Sequence, residues 1–136
     1  MLGEQHGEVE FAVEGNIIIA TAIGSFNEGG ALHYTGGLRK LINDFNNAPF
    51  AILVNNLRME GATPEAFQIL EQHNQWLNSQ KLVAKAFVVK TSITTGIVKA
   101  HSPSLNQQVI ADFADQGAAL SWLKEQLEQH QSRQQS

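Results

Sequence analysis

The stretch Phe50 to Phe67, FAILVNNLRMEGATPEAF, joins an apolar run to a polar loop and a helix start. Phe50 to Val54 is continuously apolar, which is typical of a strand covered on both faces. Asn55 to Glu60 is polar, and Thr63 then stands before a proline and a glutamate, the usual pattern at a helix N-terminus. A strand that is covered on both faces and followed by a helix predicts an α/β architecture with a largely parallel sheet.

The residues before this stretch predict a β-hairpin and a helix. Glu8 to Glu14 (EVEFAVE) alternates, Gly15-Asn16 suits a two-residue turn, and Ile17 to Ile23 is a second strand. A loop is expected from Gly24 to Asn27. From Glu28 to about Phe45 the apolar residues recur at helical spacing.

The residues after this stretch predict further alternation of helices and strands. In order we expect a helix from Thr63 to about Leu77, a strand from Val83 to Val89, a short helical turn from Thr95 to Ala100 followed by a loop, a strand from Gln108 to Phe113, and a helix from Asp115 to about Gln129. The whole order predicts one α/β domain over residues 1–131, with a mixed, mainly parallel sheet, an antiparallel N-terminal hairpin and helical cover. Residues 132–136 are expected to form a polar tail.

Three segments resemble the SpoIIAA-like or STAS fold of bacterial anti-anti-sigma factors and transporter cytoplasmic domains. They are GSFNEGGALHYTGGLRKLI from Gly24, FAILVNNLRMEGATPEAF from Phe50, and VIADFADQGAALSWLKEQL from Val109. The last segment is similar to the closing strand and helix of the uncharacterised bacterial SpoIIAA-like family. The resemblance implies a regulatory or protein-interaction module. Anti-anti-sigma factors also carry an Asp-Ser-Ser-Gly-like phosphorylation turn, and Arg58 to Thr63 (RMEGAT) departs from it, so the phosphorylation switch is not implied.

The composition excludes several classes of protein. The 136 residues are 43% apolar and 16% charged, as in globular domains, and the net charge is -4 with nine Lys and Arg, which argues against nucleic-acid binding. Cysteine is absent, so disulfides and thiolate chemistry are excluded. We expect a cytoplasmic protein with no signal peptide and no membrane span.

The polar residues after the central strand form one candidate ligand site. Asn55, Asn56 and Arg58 follow the carboxyl end of a buried strand, where open α/β sheets bind ligands. Thr63 has two interpretations. Its hydroxyl can cap the next helix, which contributes about 1 kcal/mol, or it can bind an anion or carry a phosphate. We favour the capping role.

One face of the first predicted helix is rich in glycine, and we call it the glycine face. It comprises Gly29, Gly30, His33, Gly36, Gly37 and Lys40. Each glycine inside a helix costs about 1 kcal/mol relative to alanine. Close approach of a second backbone in a homodimer or partner complex would explain them, and so would a flat ligand floor. Alternatively, the helix begins near Thr35 and the first two glycines lie in a loop.

The second predicted helix carries three further residues of interest. Trp76 lies off the apolar stripe, so it either serves an interface or folds back onto the core; we favour the core. His73 is expected at the polar shoulder of the helix. Asn74 falls within the stripe and is expected to be a buried, hydrogen-bonded amide.

The sequence predicts no catalytic residues, metal site or cofactor. The five histidines are scattered, and no nucleophile motif is present. Ile93 to Val98, which we call the flap segment, either covers an apolar cavity or packs as a core turn. Two hypotheses remain: a non-enzymatic interaction or regulatory module, or a binding protein for a small apolar, lipid-like or anionic ligand.

Overall fold

A computed structural model describes residues 5–135, which form a five-stranded sheet with helices on both faces. The elements in chain order are β1 (Glu8–Glu14), β2 (Ile17–Phe26), α1 (Glu28–Asn43), β3 (Phe50–Ala62), α2 (Pro64–Leu77), β4 (Leu82–Val88), α3 (Ser92–His101), a 3-10 helix (Pro103–Gln107), β5 (Ile110–Phe113) and α4 (Gln116–Gln135). The strands lie in the order β1-β2-β3-β4-β5. β1 is antiparallel to β2 and the other neighbours are parallel, so the predicted mixed sheet is confirmed.

The two faces of the sheet carry separate apolar cores because successive strand residues point to opposite sides. One core packs between the sheet and the α1–α2 layer, and it includes Ile18, Ile52, Val54 and Phe87. The other packs beneath α4, and it includes Ile17, Leu53, Ala86 and Val88. Both faces of the central strands are therefore covered, as the run FAILV predicts.

The N-terminal hairpin has the predicted turn. Glu14 pairs with Ile17, and Gly15-Asn16 forms the connection with Gly15 at a φ of 58°. A two-residue turn of this kind needs a left-handed backbone, which glycine adopts without steric cost.

β3 is longer than expected, and the predicted loop from Asn55 to Glu60 is wrong. The strand continues to Ala62 alongside β2, which itself runs to Phe26 through the expected loop. Register shifts after Thr21 and Gly24 let the two strands stay paired. The pairing with β4 stops at Asn55, so the extension has a neighbour on one side only. An edge segment of this kind tolerates polar residues, and for that reason its sequence resembles a loop.

The C-terminal half also differs from the expected boundaries. α3 begins at Ser92, with the Thr91 hydroxyl accepting a hydrogen bond from Ile93 N, instead of forming a turn from Thr95. A 3-10 helix occupies the expected loop, and β5 begins two residues later than predicted. α4 extends to Gln135 instead of ending near Gln129, because residues 130–135 contain no glycine or proline to stop it. None of the described helices is long and apolar enough to cross a membrane.

α1 begins at Glu28, so the alternative in which the helix starts near Thr35 is wrong. The Asn27 side chain caps it by accepting a hydrogen bond from Gly30 N at 3.0 Å. The same oxygen accepts a hydrogen bond from His6 N, which holds the segment before β1 against the start of α1. The helix ends at Asn43, two residues before the expected Phe45.

Candidate functional site

A cavity of about 60 Å³ lies between the sheet and the helices on the α1–α2 side. Most of its lining is apolar, with contributions from Phe26, Val54, Leu70, Phe87, Val98 and Leu105. Its polar lining consists of Tyr34, Asn56, His73, Asn74 and Lys85. These five side chains come from α1, β3, α2 and β4, so the cavity exists only once the sheet and its helical cover have assembled.

Lys85 contributes a buried amine to the wall of this cavity. It lies on β4 two residues before Phe87, so both side chains point from the same face of the strand. The residue is 4% exposed, and Nζ donates a hydrogen bond to Asn74 Oδ1 at 2.9 Å. Within residues 5–135 no carboxylate lies at ion-pair distance from Nζ. Burial lowers the pKa of the Lys85 amine to about 7, because the charged form loses its hydration.

A directional chain of hydrogen bonds fixes the Asn74 amide. Glu71 Oε1 can only accept, so the Ser102 hydroxyl donates to it at 3.0 Å. The Ser102 oxygen in turn accepts from Asn74 Nδ2 at 2.8 Å, which leaves Asn74 Oδ1 facing Lys85. Ser104 also donates to Glu71 through both its backbone N and its hydroxyl. The chain therefore connects a surface carboxylate to a buried amine.

The pKa of Glu71 reflects this arrangement. Partial burial acts to raise the pKa of the carboxyl, but hydrogen bonds from Ser104, Gln75 and Ser102 outweigh it and hold the pKa below its ordinary value. Glu71 is therefore an anion at neutral pH. Its acceptor role in the chain is fixed by that charge.

His73 lies in the same cavity wall without any hydrogen-bond partner. The residue is 3% exposed, and both Nδ1 and Nε2 are unpaired. Tyr34 meets the ring edge-on at 6.2 Å, and Trp76 stacks on it at 6.1 Å, with the Arg39 guanidinium 4.4 Å above the Trp76 ring. Burial, with the positive charges of Lys85 and Arg39, lowers the pKa of His73 to about 3. The imidazole is therefore neutral at physiological pH, with one donor and one acceptor nitrogen.

Two further polar groups face the cavity unpaired. Within the described part of the chain, neither the Tyr34 hydroxyl nor the Asn56 side-chain amide forms a hydrogen bond. Burial raises the pKa of Tyr34 far above its usual value, so the phenol is protonated and can donate. The cavity thus combines an apolar interior with donors and acceptors that no neighbouring side chain satisfies.

Comparison with solved structures identifies the architecture around this cavity. An uncharacterised protein with a SpoIIAA-like fold from Shewanella loihica PV-4 superposes with a TM-score of 0.67 at 12% identity, covering 90% of this chain and 98% of that one. The anti-sigma factor antagonist SpoIIAA, in its unphosphorylated form, superposes with a TM-score of 0.59 at 12% identity, covering 87% and 97%. This chain has the SpoIIAA-like fold. No protein-family model and no curated protein matches the sequence.

The SpoIIAA-like fold separates the four residues predicted to bind a ligand. Asn56 lines the cavity. Asn55 instead donates to Gln116 Oε1 of α4 at 3.1 Å, and Arg58 is exposed on the β3 extension. The Thr63 hydroxyl accepts from Ala66 N at 3.2 Å, so its predicted capping role is confirmed. Ligand binding by these residues stays a prediction, and within the fold only Asn56 is positioned at the cavity.

The glycine face of α1 is partly covered by the chain itself. A side chain at Gly30 would collide with the carbonyl oxygen of His6, and one at Gly37 would collide with the Phe11 ring of β1. Gly29 lies near Gln5, whereas Gly36 has open space beside it. The close approach at Gly30 and Gly37 is made by the hairpin and its leading segment within the same chain. His33 and Lys40 are exposed. An interface with a second molecule stays a prediction for the uncovered part of this face.

On α2, two of the three sequence-based expectations hold and one is wrong. Asn74 is a buried, hydrogen-bonded amide, and Trp76 packs partly buried against the core. His73 is not at a polar shoulder but among the most buried polar residues, because α1 covers that side of the helix. Lys85 was not predicted as a site residue from the sequence. The sequence feature that could have indicated it is a single lysine inside the apolar run VAKAFVV. A strand with this composition is buried, so its lysine side chain is expected to be buried as well.

The flap segment forms most of α3 and borders the cavity. Val98 lines the cavity, whereas Ile93 and Ile97 are 68% and 51% exposed. Thr95 Oγ1 donates to Asp112 Oδ1 at 2.7 Å and ties the helix to β5. The described residues contain no group of three His, Cys, Asp or Glu that could hold a metal ion.

Proposed function

We propose that this protein is a non-enzymatic, STAS-like regulatory module that binds a small, mainly apolar ligand with one polar group. The observation that carries the proposal is the His73 ring, buried in the cavity wall with both nitrogens unpaired. A buried polar group without a partner costs about 1–3 kcal/mol. A ligand that brings one donor or acceptor into this apolar cavity would recover part of that cost.

The size of the cavity determines how such a ligand enters. A volume of about 60 Å³ holds a few water molecules or a short chain. Drug-sized ligands occupy roughly 300–1,000 Å³, so a longer ligand requires one wall to move. α3 is suited to that movement, since two of its apolar side chains already face solvent. Outward displacement of Val98 would lengthen the cavity toward the surface.

Ligand entry past α3 also provides a regulatory output. Movement of this helix changes the exposed surface that carries Ile93 and Ile97. The SpoIIAA-like neighbour described as an anti-sigma factor antagonist supports a regulatory role for this fold. Under this proposal the bound ligand changes how a partner protein meets the α3 surface. A cytoplasmic location and a homodimer through the glycine face stay predictions.

Native mass spectrometry of protein purified from its own host tests the proposal. We expect a small added mass at low activation that leaves at high activation. Val98→Phe, which narrows the cavity, should lose this mass. Ile97→Phe is the matched control, because the same change at the neighbouring exposed position leaves the cavity unaltered.

Hexan-1-ol provides a second test that needs no natural ligand. In ¹H–¹⁵N NMR titrations we expect its addition to shift amides near Asn56, His73 and Val98 in the wild type and in Ile97→Phe. Val98→Phe should show smaller shifts. No added mass, together with no response of the wild type to hexan-1-ol, would refute ligand binding in this cavity.

A further inference from the structure

We propose that Lys85 Nζ is a nucleophile that captures a small aliphatic aldehyde as an imine inside the cavity. The inference rests on the proposed function and names the polar group of the ligand as a carbonyl. It concerns stoichiometric, reversible binding, so no catalytic turnover is involved.

The hydrogen bonds around Nζ suit a neutral amine. An ammonium group has three N–H donors and no acceptor, whereas a neutral amine has two donors and a lone pair. Among the described residues, Nζ has one hydrogen-bond partner, Asn74 Oδ1, and that oxygen also accepts a hydrogen bond from Gln108 Nε2 at 3.3 Å. A charged form would leave two donors unsatisfied in an apolar cavity, which is costly. The low pKa of Lys85 agrees with this count. The lone pair is therefore available for bond formation.

The cavity also accommodates both ends of an aldehyde. Phe87, Val98 and Leu105 offer apolar contacts for the alkyl chain. His73 in its neutral form has an unpaired N–H in the same lining. The protonated Tyr34 hydroxyl forms no hydrogen bond with the described residues, so a carbonyl oxygen beside either group could accept from it. A carboxylate ligand would instead need a charged lysine. The uncharged lining therefore favours a carbonyl over an acid.

The reaction is a condensation without any redox change. The Nζ lone pair attacks the carbonyl carbon, and the π electrons move to oxygen. One proton passes from nitrogen to oxygen, giving a carbinolamine. The hydroxyl group then leaves with the second N–H proton as water, and the nitrogen lone pair completes the C=N bond. Neutral His73 has an acceptor nitrogen and a donor nitrogen for these proton transfers. Hydrolysis reverses the sequence and releases the aldehyde.

The test uses the full chain with hexanal and sodium cyanoborohydride at pH 7. Reduction of the imine leaves a protein heavier by one hexanal less one oxygen atom. Peptide mapping should place this mass on Lys85 at a rate at least about tenfold above any other lysine, because a lysine with an ordinary pKa is neutral in only about one molecule in three thousand at this pH. The rate at Lys85 should rise with pH up to about 7 and then level off.

Matched variants separate this site from general amine reactivity. Lys85→Met should abolish the mapped adduct, whereas Lys90→Met, which alters an exposed lysine just after the same strand, should leave it unchanged. If Lys85→Met fails to fold, protection of wild-type Lys85 by excess hexan-1-ol gives the same information. Labelling that is no faster at Lys85 than at other lysines would overturn the inference.

The outcomes distinguish the inference from the proposed function. If hexan-1-ol binds but Lys85 forms no adduct, the cavity binds ligands and the imine proposal alone fails. If neither compound interacts with the cavity, both proposals fail. An adduct on Lys85 that hexan-1-ol suppresses supports both.

Discussion

Lys85 Nζ lies 2.9 Å from Asn74 Oδ1, and this hydrogen bond joins the sheet to α2 in the wall of the cavity. Asn74 is uncharged, so it offers the amine a dipole but no counter-charge. A carboxylate at the same place would have held the lysine protonated. The protonation state of this buried amine therefore changes near neutral pH, which has consequences for stability as well as for chemistry.

The first prediction concerns stability above neutral pH. The folded chain releases the Lys85 proton near pH 7, whereas the unfolded chain keeps it to about 10.5. The unfolded state binds more protons between these values, so the free energy of unfolding rises with pH across the window, by a few kcal/mol in total. Urea unfolding at several pH values from 7 to 9 measures the slope. Lys85→Met should show no such rise in the free energy of unfolding with pH, whereas Lys90→Met should show the same rise as the wild type. Equal slopes in the wild type and both variants would contradict the low pKa of Lys85.

The second prediction concerns stability below neutral pH. His73 has a pKa of about 3 in the folded chain and an ordinary value of 6.5 when unfolded. The unfolded state again binds more protons between these values, so stability falls as pH falls from 6.5. Measurement between pH 5 and 6 reports mainly on His73, because the lowered pKa of Glu71 lies below that range and the pKa of Lys85, about 7, lies above it. In His73→Phe the free energy of unfolding should change much less with pH in this range. His33→Phe, at an exposed histidine of α1, should show the same change as the wild type.

Local patterns were enough to predict much of this fold. The alternation of Glu8 to Glu14, the Gly15-Asn16 turn and the Thr63-Pro64 helix start depend on residues adjacent in sequence, and the structure has all three. The extension of β3 was missed because it depends on pairing with the end of β2, which the residues of β3 do not encode. Tertiary pairing there outweighs local polarity.

The cavity was harder to predict than the fold. Its polar lining draws Tyr34, Asn56, His73 and Lys85 from four elements, and only Asn56 stood in a segment that the sequence marked as a site. His73 was expected to be exposed because helical periodicity places it beside the apolar stripe of α2. The sequence does not show that α1 packs against α2 and buries residues on both sides of that stripe. A lone lysine in a buried strand was the one local signal.

The third prediction decides between the two roles of Thr63. Its hydroxyl caps α2 through Ala66 N, so Thr63→Ala should destabilise the protein by about 1 kcal/mol in chemical denaturation. Thr63→Ser keeps the capping oxygen and should stay near the wild-type value. A regulatory phosphorylation site would instead appear as an added phosphate on Thr63 in protein from its own host. Unchanged stability in Thr63→Ala would remove the capping explanation.

The fourth prediction uses two glycines of one helix face. A methyl group at Gly30 would meet the backbone carbonyl of His6, which cannot move without breaking its hydrogen bond from Asn27 N, so Gly30→Ala should be destabilising. Gly36 has open space beside it, and Gly36→Ala should stabilise the chain by up to about 1 kcal/mol through helix propensity. Thermal unfolding of both variants measures the contrast.

The variant Gly36→Ala also tests the predicted homodimer. If Gly36 lies against a second molecule, Gly36→Ala removes that close approach, and sedimentation of the variant should show weaker association than the wild type. A wild type that stays monomeric at high concentration would leave Gly36 without an interface role. Gly30 and Gly37 would then be explained by the hairpin and its leading segment alone, since His6 and Phe11 already occupy the space beside them.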